Sequence, residues 1–281
     1  ILALGFVVII LVGTILLTLP ISTASGESTS FLDALFTATS AVCVTGLIVV
    51  DTGSYWNMFG QTIIMILIEI GGLGFMSFTT LIAIILGKKI TLRERLILQD
   101  AMNTFNIQGL VKMVKYVLVF TVSVQFFGAL LLSTQFIPEF GFGKGAFYSL
   151  FHSISAFCNA GFDVLGKGNS LISFNTNVVV IMVLSILIII GGLGFTVWSE
   201  LYTCKSIRRV SIHSKMVLLI TTGLVVGGTL LMFLFEHNNP QTISKMSFIN
   251  KLTNSFFASV TPRTAGFNSI STSGMTTAGQ F

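Results

Sequence analysis

The sequence predicts an all-α integral membrane fold, with repeated units of span, re-entrant half-helix and span set around a pseudo-fourfold pore. Three observations lead there. A short apolar stretch ending in a glycine loop recurs as Ser30–Leu47, Gly145–Phe162 and Ser247–Phe267, with late glycines Gly46, Gly161 and Gly266. The hexapeptide IGGLGF occurs at Ile70–Phe75 and again at Ile190–Phe195, 120 residues later, which signals internal repetition. The composition is 53% hydrophobic and 9% charged, with mean hydropathy +0.93, where an ordinary soluble domain carries roughly 25% charged residues.

Five segments are long enough to cross a bilayer: Ile1–Leu19, Met58–Leu86, Tyr116–Ile137, Thr176–Leu201 and Met216–Phe235. The first could be taken for a secretory signal. It has no basic leader, however, and a half-helix follows it rather than a soluble domain. Each recurring short stretch holds a helix of roughly 12 residues, whereas crossing needs about 20, so it enters the membrane and turns back. Irregular backbone at that depth requires protein or a water-filled path around it. The order span, half-helix, loop, span gives repeat one over residues 1–110, repeat two over 111–212 and a partial repeat three over 213–281. Closure around a pseudo-fourfold axis needs a fourth unit. The chain is therefore expected to be a fragment, about two and a half of four repeats.

The basic residues set the expected orientation. Gly87–Lys115 holds Lys88, Lys89, Arg93, Arg95, Lys112 and Lys115, and the later loop holds Lys205, Arg208, Arg209 and Lys215. These ten of the fifteen Lys and Arg flank apolar spans, so the positive-inside rule puts both loops in the cytoplasm and the glycine loops toward the outside. Glu27, Asp33, Asp51, Glu139, Asp163 and Glu236 then fall on the outer side, where they gather cations. The pI near 9.2 does not point to nucleic acid, because the basic residues are not interleaved with aromatics on a polar surface.

Each half-helix directs its C-terminus into the bilayer, and the partial negative charge there favours a cation. Beyond it, extended backbone frees carbonyl oxygens to replace a cation's water shell. Glycine suits such a loop because it adopts conformations closed to residues with a β-carbon and projects nothing into the path. The expected potassium ligands are the main-chain oxygens of Val44, Thr45 and Gly46, of Asn159, Ala160 and Gly161, and of Thr264, Ala265 and Gly266.

The segments SAVCVTGL, SAFCNAGFD and SVTPRTAGFNS resemble the first three filter segments of the Trk/Ktr/HKT superfamily of potassium transporters, and the two IGGLGF spans strengthen the likeness. Loop lengths are most similar to the KtrB-type bacterial membrane subunit. The resemblance implies potassium uptake that is often sodium-dependent, homodimeric assembly, and control by a cytoplasmic nucleotide-binding ring of the KtrA type. It implies no cofactor bound by this chain; potassium is the transported ion and sodium an activating or coupled one. In the family a serine at the first filter glycine is associated with sodium selectivity, so glycine at position 46 favours potassium. The fourth filter and the gating loop of the third repeat's second span lie outside this sequence. The competing reading is an alternating-access secondary cation transporter, which also uses repeats and broken helices. No Ser/His/Asp or metal-binding constellation recurs within the spans, so an enzyme is not expected.

Several other residues carry two readings. Glu69 lies deep in the second span, where an ionisable group is costly. It is either a protonated or hydrogen-bonded group satisfied by a neighbouring half-helix, or a cation-binding or gating residue. The matching position in repeat two is Ile189, so no ring of carboxylates is implied. Arg263 matches Cys43 and Cys158 and is expected to face away from the pathway as filter support, bracing carbonyls or an outer carboxylate such as Asp163 or Asp51. His152 reads as a packing residue rather than a pH sensor. Cys43, Cys158 and Cys204 fit no zinc or disulfide pattern; the first two read as small packing residues behind their loops. GGLGF lacks the strand and spacing of a phosphate loop and reads as close helix packing through small residues.

Overall fold

A computed structural model describes residues 2–74, 110–166, 170–203, 210–263 and 265–280. Repeat one contains helices α1 (Leu2–Thr18), α2 (Phe31–Val42), the single turn α3 (Thr52–Tyr55) and α4 (Met58–Leu73). Repeat two contains α5 (Leu110–Phe140), α6 (Phe142–Phe157), α7 (Val178–Gly192) and α8 (Phe195–Thr203). Repeat three contributes α9 (Ile212–Glu236), α10 (Phe248–Val260) and the short α11 (Thr277–Gln280). Two of the described helices, α5 from Lys115 onward and α9, are long and apolar enough to cross a membrane.

Within each repeat the first long helix packs on its half-helix: α1 on α2, α5 on α6, α9 on α10. The second helix packs on its own half-helix and on that of the following repeat, so α4 touches α2 and α6, and α7 touches α6 and α10. Two apolar cores result, one at each seam. Ala34, Ala38 and Ala41 of α2 meet Ile64 and Ile68 of α4 together with Phe151 and Phe162 of repeat two. The second core joins Ile181 and Leu184 of α7 to Phe257, Val260 and Phe267 of repeat three. The phenylalanine after the glycine in loops two and three is thus driven into the seam and fully buried. On α9 the buried positions Ser214, Thr221, Val225, Thr229 and Glu236 recur at intervals of four and seven, one narrow stripe of the helix. Its other side exposes Leu219, Leu224, Leu230 and Leu234, a surface suited to lipid.

The expected span Thr176–Leu201 is not one straight helix. It ends at Gly192 and resumes at Phe195 with a bend of 92°. Gly194 takes φ +85°, a left-handed conformation that ends an α-helix, and Gly74 of the first IGGLGF does the same at φ +78°. The indole N–H of Trp198 donates to the carbonyl of Ile190 at 2.8 Å, satisfying an acceptor near the break. The glycine pairs before the break do serve packing. A β-carbon at Gly71 would collide with the carbonyl of Val42, and one at Gly191 with that of Phe157, so each pair admits the end of a half-helix.

Candidate functional site

Each half-helix stops where its sequence stops supporting a helix. In repeat one the amide of Val44 donates to Ala41 O at 3.3 Å and that of Thr45 to Ser40 O at 2.9 Å. In repeat two Asn159 donates to Ala156 O at 3.1 Å and Ala160 to Ser155 O at 2.8 Å. This crossed pair is a Schellman cap, which needs a left-handed residue at its corner. Val44 and Asn159 supply it with φ +56° and +57°. For a β-branched valine that conformation is costly, on the order of 1–3 kcal/mol, and it persists only because the surroundings hold it. In repeat three Pro262 has no N–H to give, and Thr261–Arg263 forms a 3₁₀ turn instead. Ala265 then bonds Thr261 O at 3.0 Å.

The caps bring the three loops together. Gly46, Gly161 and Gly266 all adopt φ between +72° and +74°. A β-carbon on Gly46 would collide with the carbonyl oxygen of Ala160, and one on Gly161 with the carbonyl oxygen of Ala265. On Gly266 it would stand 3.5 Å from the α-carbon of Gly161. The loops therefore stand side by side in the order one, two, three, and glycine is required by both conformation and close approach. Ala160 and Ala265 are buried in this contact, while Thr45 is exposed. Thr264 lies outside the described residues, as do Lys167, most of the first basic loop and residues 204–209 of the second, Cys204 among them.

Side chains behind the loops fasten them. The hydroxyls of Ser40 and Thr45 are 2.9 Å apart, and Ser155 donates to Phe162 O at 2.7 Å. Oriented to satisfy its neighbours, the Asn159 amide donates to Ile188 O and accepts from the Gly192 N–H, both at 3.2 Å. Ser40, Ser155 and the Asn159 side chain were not singled out from sequence, although the shared SA of SAVC and SAFC marks the two serines.

Glu69 meets the second half-helix. Its Oε2 accepts from Gln125 Nε2 at 2.7 Å and from the thiol of Cys158 at 3.5 Å. This is the hydrogen-bonded arrangement, with a neighbouring half-helix as partner. Cys158 packs behind loop two, its sulfur 2.5 Å from where a β-carbon of Gly72 would be. Cys43 at the matching place is exposed, so its expected packing is not seen among the described residues. His152 is fully buried, with Nδ1 2.7 Å from Tyr148 O and its ring against Phe136, Phe151 and Phe267. That is a packing position.

Arg263 does not reach the acids named for it. Its Nη2 donates to Thr221 Oγ1 of α9 at 3.4 Å and lies 3.7 Å from a β-carbon position of Gly192. Its buried Nη1 has no partner among the described residues. The cause is level: Arg263 sits beside the end of α7, whereas Asp51 caps α3, just before the start of α4. Asp163 lies with Asp51 instead. Burial first, and then the Asp51 charge, raise its pKa from 3.8 to about 6. Gly53 and Gly166 hold these two segments in close backbone contact.

At the far end of α9, Glu236 anchors the segment beyond loop three. It accepts from the Thr276 N–H at 2.9 Å, the Thr276 hydroxyl at 2.7 Å, Thr242 Oγ1 at 2.7 Å and Asn239 Nδ2 at 2.7 Å. This network has no repeat-based signal in the sequence.

Residues 4–281 match the family described as "TrkH: Cation transport protein". The potassium/sodium uptake protein NtpJ of Enterococcus hirae is 52% identical over 268 residues, covering 95% of this chain and 59% of that protein. The Ktr system potassium uptake protein B of Bacillus subtilis is 46% identical over 270 residues, covering 96% and 60%. The crystal structure of the potassium transporter TrkH from Vibrio parahaemolyticus superposes with a TM-score of 0.66 at 18% identity, covering 94% of this chain and 52% of that one. That likeness establishes the fold. The chain spans about 60% of the length of these curated relatives. This chain, whose described residues form spans and half-helices with three glycine loops in contact, belongs to the TrkH family of cation transport proteins.

Proposed function

We propose that this chain forms most of the ion-translocating subunit of a Ktr-type potassium uptake system. Its filter is built from the backbone carbonyls of Val44-Thr45-Gly46, Asn159-Ala160-Gly161 and Thr264-Ala265-Gly266, with a fourth unit closing the ring. The observation that carries this reading is the contact between the three glycines, each in the left-handed conformation. A path lined by backbone oxygens at the ends of half-helices suits a partly dehydrated monovalent cation. Relatives named for potassium uptake at 46% and 52% identity support potassium as the ion, and the name of one supports sodium as a second.

The system is a homodimer in the cell membrane, sodium-dependent, and regulated by a cytoplasmic nucleotide-binding ring of the KtrA type. Its glycine loops face outside and the two basic loops face the cytoplasm. The three repeats divide near residues 110 and 212, and Arg263 supports the third loop from behind. The test is potassium and sodium uptake by the full-length gene in cells lacking their own potassium uptake. Saturable potassium uptake, with its preference over sodium reduced in Gly161→Ser, is expected; uptake indifferent to the ion and to that substitution would remove the loops from the pathway. A cysteine at position 103 should react only from the cytoplasmic side, and labelling from outside intact cells would overturn the orientation.

A further inference from the structure

The two seams carry opposite charges, each at a position where the other seam has an uncharged residue. At the first, Glu69 of α4 accepts from Gln125 of α5 and from Cys158, the residue that caps α6. At the second, the position of Glu69 is taken by Ile189 and that of Cys158 by Arg263, which donates to Thr221 of α9. The sites adjoin: Cys158 lies against Gly72, and its neighbour Asn159 approaches Gly192, which Arg263 also approaches. A carboxylate at a helix C-terminus opposes the helix dipole and is unfavourable by itself. An arginine behind the next loop, with a buried nitrogen unpartnered among the described residues, opposes any cation in front of it.

We propose that Glu69 sets the potassium affinity of the filter. Its charge beneath the end of α6 offsets that of Arg263, keeps the loops attractive to a cation, and is itself balanced when the cation arrives. Glu69 touches Cys158 and Gln125 rather than the ion, so it is a positioning residue acting through charge. The inference rests on the potassium-filter reading above.

A hydrogen-bond role and a charge role separate cleanly here. In Glu69→Gln the amide oxygen still accepts from Gln125, so that bond survives while the charge is lost and one acceptor oxygen becomes an NH2 donor. The full-length protein carrying E69Q should show a KM for potassium raised about tenfold, as expected for one charge removed from a partly buried site, with Vmax within about twofold. The exchange E69Q/Q125E returns the carboxylate to the other end of the same 2.7 Å bond and should restore KM to within about twofold. An unchanged KM in E69Q, or a raised KM that the exchange does not rescue, overturns the proposal. If E69Q fails to accumulate in membranes, the exchange decides: normal accumulation with normal KM supports the proposal, and failure of both assigns Glu69 to packing and overturns it. A wild-type protein without saturable potassium uptake would instead remove the parent reading.

Discussion

A β-carbon on Gly161 would collide with the carbonyl oxygen of Ala265 and stand 3.1 Å from the α-carbon of Gly266. The spacing of loops two and three is therefore set by the absence of a side chain on Gly161. Gly161→Ser must push the third loop away and also hold serine at φ +72°, at a cost of about 1–2 kcal/mol for the conformation alone. Potassium preference over sodium should fall about tenfold, with a similar loss for Gly46→Ser against Ala160. Gly266→Ser, whose β-carbon meets only Gly161 at 3.5 Å among the described atoms, should be milder. Competitive uptake of the two ions by the three variants measures the order.

The glycine pairs that admit the half-helix ends give a second prediction. Gly191→Ala would press into the Phe157 carbonyl and Gly71→Ala into that of Val42. Each should destabilise the folded protein by about 1–3 kcal/mol through overpacking, while Gly227→Ala in α9, with open space around it, should not. Thermal unfolding of purified protein in detergent would show the difference.

Arg263 tests the support role. With one weak bond to Thr221 and a nitrogen unpartnered among the described residues, Arg263→Ala should cost no more than about 1 kcal/mol in stability through that bond. Selectivity should fall in step, and Arg263→Lys should recover part of it. A rise in cation flux with intact potassium preference would instead identify Arg263 as a barrier in the pathway.

Asp163 predicts a pH dependence with a definite sign. Its carboxyl titrates near 6 in the folded protein and near 3.8 when unperturbed. The folded form therefore holds more protons between those values, and stability contributed by this group falls as pH rises from about 4 to 6. Asp163→Asn should flatten that segment of the profile, and Asp51→Asn should shift it to lower pH by removing the second cause. Unfolding midpoints of the three proteins across pH 4–7 check the claim.

Glu236 holds four hydrogen bonds to Thr276, Thr242 and Asn239, and a β-carbon on Gly279 would collide with it. Glu236→Ala should leave these donors unpaired at a cost of about 1–3 kcal/mol and expose Thr272–Gln280 to protease. Unchanged cleavage within 272–280 would contradict this anchoring role.

The repeat order and the three glycine loops were legible because self-similarity survives in composition and in motifs such as IGGLGF. What escaped was the second use of that motif. Gly71 and Gly191 read as packing residues and are, but Gly74 and Gly194 end helices, and a hydropathy window cannot separate those uses. The left-handed corner at Val44 was equally invisible, since a β-branched residue argues against a positive φ, whereas Asn159 is a residue type that tolerates it. The partners of Glu69 and Arg263 lie on other helices 56 and 42 residues away, so only the packed structure could pair them.

The glycine contacts run in one sense: loop one leans on the carbonyl of loop two, and loop two on that of loop three. Such an arrangement has a handedness that a simple face-to-face cluster lacks. Each contact acts on both partners, so a distorted Ala265 disturbs Gly161 and then Gly46, and a side chain on Gly46 presses on Ala160 in turn. Lesions in loop two, which touches both neighbours, should consequently be felt more widely than lesions in loop one or loop three, even where the local chemistry is the same.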